Sequence, residues 1–124
     1  MATFNKFNSF VEALAEKTHN LGADTLKVAL SNTAVVATNT VLANITQIGA
    51  GNGYTTGGTA TTITSSAQTS GAYKLVITDV TFTAAGGSIG PFQYVVLYND
   101  TALSDELIGW YDYGTALTIT NGNS

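Results

Sequence analysis

The chain has 124 residues, of which 44% are hydrophobic and only 10% charged, with four Lys, no Arg, no Cys and a net charge of −4. That length fits one domain, and the apolar content excludes a disordered chain. The charge balance argues against nucleic acid as a partner, because neutralising duplex phosphates depends on Lys and Arg. Without Cys there is no disulfide, no thiolate chemistry and no sulfur-ligated zinc. Enzymes draw on His, Cys and clustered carboxylates; with one His and eight scattered acids the sequence reads as a non-enzymatic protein without cofactor or metal.

Phe4, Phe7, Val11, Leu14, Thr18 and Leu21 recur at steps of three and four, predicting a helix over residues 4–19. Ser9 with Glu12 offers a capping box and a later start near Phe10, and Gly22 sits where a left-handed C-terminal cap belongs. The stripe packs on a sheet, with part of the Phe4, Phe7, Phe10 cluster able to dock on another subunit. His19 falls in the last helical turn, where it would cap or remain exposed. The start has no basic segment followed by an apolar one and no stretch nears the roughly 20 residues of a membrane span. A soluble protein made in the cytoplasm, with no membrane partner, is expected.

Beyond Gly22 the period changes to two. Leu26, Val28 and Leu30 form a strand with one buried face, 31–40 a loop, and 41–48 a short strand or single helical turn. The run from Gly49 to Gly58 is a surface loop, mobile or ordered by a neighbouring subunit, with Tyr54 as a contact candidate. It lacks the Lys and Ser/Thr of a phosphate-binding loop, and no helix follows it. Residues 59–66 and 73–82 are Thr-rich strands joined through 67–71, and Tyr73, Leu75 and Ile77 share a face.

Gly86-Gly87 and Gly90-Pro91 bracket a turn before Phe92 to Tyr98, apolar on both faces and so a central strand. Its partner, 107–113, puts Leu107, Gly109, Tyr111 and Tyr113 on one face and Ile108, Trp110 and Asp112 on the other. A last strand, 115–120, ends at Asn121-Gly122, a hairpin signal with no returning strand, so one further strand beyond Ser124 is expected. The fold class is mainly β: an antiparallel β-sandwich, jelly-roll-like, of six to eight strands with one N-terminal helix, in a single domain over residues 1–124.

Asp100, Asp105 and Glu106 share a loop but lack the spacing of a calcium-binding loop, and Asp79 with Asp112 is an arbitrary carboxylate pair. The aromatic set Tyr94, Tyr98, Trp110, Tyr111 and Tyr113 lies on adjacent strands with opposite facing. The outward members, with Tyr98, Trp110 and Tyr111 as the candidates, suit a protein interface or a sugar-binding face.

The segments Ala2-Thr3-Phe4-Asn5-Lys6-Phe7-Asn8-Ser9-Phe10-Val11-Glu12, His19-Asn20-Leu21-Gly22-Ala23-Asp24-Thr25-Leu26-Lys27-Val28-Ala29-Leu30, Gly51-Asn52-Gly53-Tyr54-Thr55-Thr56-Gly57-Gly58 and Phe92-Gln93-Tyr94-Val95-Val96-Leu97-Tyr98-Asn99-Asp100, with Leu107-Ile108-Gly109-Trp110-Tyr111-Asp112-Tyr113-Gly114, resemble a family of small virion proteins of tailed bacteriophages over essentially the whole chain. The resemblance implies a capsid decoration, or cement, protein with a jelly-roll-like fold, located on the virion exterior. Its implied partners are the major capsid protein and further copies of itself, as a homodimer or other homo-oligomer. Family chains continue past Asn121-Gly122 with a further strand, and no functional residue carries over from them. The alternative is a tail-side collar, fibre or receptor-binding module that presents its aromatics to carbohydrate.

Overall fold

The computed structural model describes residues 3–124. Seven strands and one helix are arranged as β1 (Thr3–Lys6), α1 (Asn8–Ala15), β2 (Leu26–Ser31), β3 (Thr59–Ala60), β4 (Ile63–Thr69), β5 (Ala72–Ile77), β6 (Ile89–Asn99) and β7 (Leu107–Ile119), with a single 3-10 turn at Leu42–Asn44. Every strand pairing is antiparallel. One sheet has the order β1-β7-β6-β2-β3 and the other is the β4-β5 hairpin. The chain is therefore mainly β, with two antiparallel sheets and one helix, as its periodicities predict.

β6 is central because it is apolar on both faces. On one side Ala29, Val96, Tyr98, Leu107 and Trp110 pack with Phe7 beneath Val35 and Ile45 of the long connection from β2 to β3. On the other, Leu26 and Ile108 pack with Leu21 under Phe10 of α1 and under Ile63, Leu75 and Ile77 of the hairpin. A third cluster, Leu30, Tyr54, Ala84, Ile89 and Phe92, closes the far end. Together these clusters supply the burial that holds the sheets.

The helix is shorter than its apolar stripe. Phe4 lies in β1, where Phe4 pairs with Tyr111 and Lys6 with Gly109; ladder bonding to β7 overrides a helical period carried by few residues. Phe7 precedes the helix in extended conformation with no side-chain cap, so the Ser9–Glu12 box does not form. The helix ends at Lys17 (φ 72), whose left-handed conformation is accompanied by bonds from Thr18 N to Ala13 O and from Lys17 N to Leu14 O. That is a Schellman cap with Lys where Gly was expected, five residues before Gly22.

Three further expectations are corrected. Residues 107–119 form one unbroken strand, and 70–71 alone, with φ of 51 and 84, turn the β4-β5 hairpin in the two-residue geometry that suits the strands' twist. Register shifts between Phe92 and Tyr94 and between Leu97 and Tyr98 reverse the expected facing: Leu107 joins Trp110, Phe92 leaves Tyr94, and Ile108 joins the hairpin side.

Candidate functional site

The Gly-rich run is pinned to the edge of β2. β3 covers only Lys27 and Val28, so the outward backbone groups of Leu30 need other partners. The Tyr54 hydroxyl accepts from Leu30 N at 3.1 Å and donates to Gln47 Oε1 at 2.6 Å, while Ile48 N donates to Leu30 O at 3.0 Å. At Gly58 (φ +78) a Cβ would stand 1.7 Å from Val28 O, so only glycine allows this approach. The loop is ordered by its own chain, and Tyr54, buried, is no surface contact. Burial raises the Tyr54 phenol pKa above its ordinary value despite the opposing Leu30 hydrogen bond.

Tyr98 donates its hydroxyl to Gly57 O at 2.5 Å and is likewise buried. Its pKa is pushed up to about 12 by burial first, then by Asp100, Asp105 and Tyr54. Phe7 and Trp110 are buried against each other with ring centroids 4.6 Å apart. Four contact candidates, Phe7, Tyr54, Tyr98 and Trp110, are thus core residues. Tyr98 and Trp110 lie on strands, where alternation does not say which face is covered; Phe7 and Tyr54 lie outside the strands and are drawn into the core by the packing of the helix start and of the Gly-rich loop.

The remaining three, Phe4, Phe10 and Tyr111, come together. They line a cleft of about 470 Å³ with Leu14 of α1, Tyr73 and Leu75 of β5, and the floor residues Leu97 and Ile108. Phe4 and Tyr111 meet edge-on at 5.3 Å, and they remain 45% and 39% exposed. Gly109 permits that placement, since a Cβ there would come within 2.2 Å of Phe4 Cζ. Tyr73 is 49% exposed and Leu14 41%. Tyr111 also borders a second groove, which runs past Val95, Tyr113 and Ile119 along residues 77–82. Across both linings Asp79 is the sole charged side chain. The two linings share Tyr111 and Ile77, giving a half-exposed, largely apolar surface suited to burial against a macromolecule.

Sequence reasoning placed Tyr73, Leu75 and Ile77 on one face but did not connect them to Phe4 and Phe10; Leu14 belonged to the predicted stripe. Asn99, a buried hub, was missed. Its carbonyl accepts from Thr101 N and Ala102 N at 2.9 and 3.2 Å, and its amide donates to Asp24 Oδ2 at 2.7 Å and meets His19 Nδ1 at 3.0 Å. His19 is 5% exposed and lies beyond the helix end, so it neither caps α1 nor faces solvent as expected.

The carboxylates serve local roles. Asp100 pairs with Lys27 at 3.6 Å, Glu106 accepts from Ser104 N, and Asp112 accepts from Gln93 Nε2 and Gly114 N. The Gln93 bond, then the Gly114 bond, hold the Asp112 pKa below its ordinary value. Among the described residues no three His, Cys, Asp or Glu side chains gather as a metal would require, and no helix is long and apolar enough to cross a membrane.

Comparisons with protein-family models, with curated proteins and with solved structures each return no match for this chain. The functional reading therefore rests on the apolar surface.

Proposed function

We propose that this chain is a non-enzymatic structural protein of a tailed-phage virion, a decoration or cement protein that binds the outer surface of the assembled capsid and stabilises it. The observation that carries the reading is the half-exposed cleft of Phe4, Phe10, Leu14, Tyr73 and Tyr111 on a protein with few charges. A cement subunit needs a complementary face, and many weak contacts repeated on a lattice gain strength through multivalency. In this reading the partner is the major capsid protein, the subunit is a homodimer or other homo-oligomer bridging neighbouring capsomers, and the two layers are those of a jelly-roll-like sandwich.

The test uses capsids prepared without the protein and the same capsids after it is added back. Add-back should produce saturable co-sedimentation and raise the temperature at which the shells open. Unchanged heat resistance at saturating binding would overturn cementing, and no binding would overturn the capsid as partner. The exposed Tyr73, Tyr111 and Tyr113 also support a second reading, a tail-side module stacking these rings on sugar. Copy number per virion separates the two, since a shell protein is far more abundant than a fibre.

A further inference from the structure

We propose that His19 is a pH-operated latch, whose neutral imidazole helps tie the segment after α1 to Asn99 at the end of β6 and whose protonation removes that tie and loosens the segment. The geometry fixes the tautomer. If the Asn99 amide were flipped, its NH2 would face the donors Thr101 N and Ala102 N, and its oxygen would face the Asp24 carboxylate. Three contacts therefore hold the orientation in which Asn99 Nδ2 is a donor to His19 Nδ1. Nδ1 must then be unprotonated, and the single proton of the neutral ring sits on Nε2.

Nε2 is buried with no hydrogen-bond partner among the described residues, and the ring packs against Phe10 with centroids 5.3 Å apart. A second proton has one place to go, Nδ1, where it would point at the Asn99 NH2 and replace an attraction by a donor–donor clash. The imidazolium cannot keep the bond that its neutral form makes. Charged neighbours are Asp24 in the same segment and Glu106 before β7; both favour the imidazolium, while burial, the larger influence, opposes it and lowers the pKa below the ordinary 6.5. Lys17 lines the same surface cavity, of about 600 Å³, and Phe10 on α1 is neutral.

What the latch holds has consequences beyond the loop. Leu21, in the tied segment, is buried against Leu26 and Ile108, and Leu14, Leu21 and Tyr73 line both the His19 cavity and the apolar cleft. Release would loosen one wall of the cleft and expose its floor. The sign follows from linkage: an unfolded His19 binds its proton near pH 6.5, the folded one at lower pH. The contribution of the latch is therefore full above about 6.5 and is lost as pH falls toward the folded value. This inference concerns how the cleft is held, and it stands whether or not the capsid is what binds there.

His19 is the sole histidine, so its ring resonances are assignable in the full chain without mutagenesis. The test follows those resonances by NMR together with hydrogen exchange of the amides of residues 20–24 and 101–102, at about pH 7.5 and about pH 5. The His19→Gln variant, whose amide oxygen can still accept from Asn99 but does not titrate, is measured alongside. In the parent chain, protection of these amides, corrected for intrinsic exchange, should fall about tenfold or more on acidification, while the core of β6 stays protected; in His19→Gln the fall should be absent. Equal losses in both chains would overturn the latch, as would an imidazole titrating at or above about 6.5 in the folded protein. If the variant does not fold, the parent's ring titration and its amide protection still decide: the two must change together with a common midpoint below about 6.5.

Discussion

At the scale of single residues, the decisive feature of Tyr54 is its hydroxyl. It stands in for a missing strand at the edge of β2, accepting the Leu30 amide hydrogen and donating to Gln47, whose Oε1 also accepts from Gly57 N at 2.7 Å. Tyr54→Phe keeps the ring against Phe82, 5.8 Å between centroids, and removes the oxygen alone. A buried backbone N–H left without an acceptor costs about 1–3 kcal/mol. Chemical denaturation should therefore show Tyr54→Phe less stable by that amount with an unchanged slope. A difference below about 0.5 kcal/mol would mean that water replaces the hydroxyl and the loop is not fastened there. The Phe7 side chain, with no polar atom, contributes through burial, against Trp110 and the rest of its cluster, while its N–H donates to Ile108 O.

At the scale of elements, the helix end shows how a local rule and the fold can disagree. Lys17 holds φ 72 at the cap position that glycine usually fills, a conformation that costs a residue with a Cβ about 1 kcal/mol. Lys17→Gly should therefore stabilise the protein by roughly 0.5–1 kcal/mol in thermal or denaturant melts, and destabilisation would show that the Lys side chain supports the segment that carries His19. The same region marks the limit of what the sequence discloses. The stripe from Phe4 to Leu21 has helical spacing, yet Phe4 is in a strand because β7 offers it a ladder, an interaction between positions about a hundred residues apart. β6 was legible because its two apolar faces suit only a central strand, and the pairing of β4 with β5 because Thr-rich, β-branched runs flank a short polar stretch, although its turn is shorter than the 67–71 loop expected. The faces of β7 were not legible, since one register shift exchanges inside and outside and leaves no trace in the alternation. Nor was the cleft, which draws Phe4, Phe10, Tyr73 and Tyr111 from four separate elements. Tyr54 read as a surface residue for a related reason: its loop is drawn in by the close approach at Gly58, which no composition rule announces.

At the scale of the whole molecule, the sandwich is lopsided: a five-stranded sheet is covered on one side by a long loop and on the other by a two-stranded hairpin and a helix with no buried residue. The second cover is too narrow for the sheet beneath it, and the apolar surface it leaves runs from Phe4 across Tyr111 to Tyr113. Few charges oppose contact there, and a partner that fills the cleft gains both the aromatic area and the drying of the floor. The joint substitution of Phe4→Lys and Tyr111→Lys should separate binding from folding, because both side chains are already nearly half exposed and lysine stems can lie along an apolar wall while their charges reach water. Its stability should stay within about 1–2 kcal/mol of the parent, whereas affinity for capsids should fall by more than about tenfold, since two charges would have to be desolvated at every copy. Val36→Lys, on the loop over the opposite face and 50% exposed, is the matched control and should bind as the parent does. Measured by co-sedimentation with shells lacking the protein, equal binding by all three chains would remove the cleft as the contact surface, and loss in Val36→Lys alone would move that surface to the loop side of the sheet.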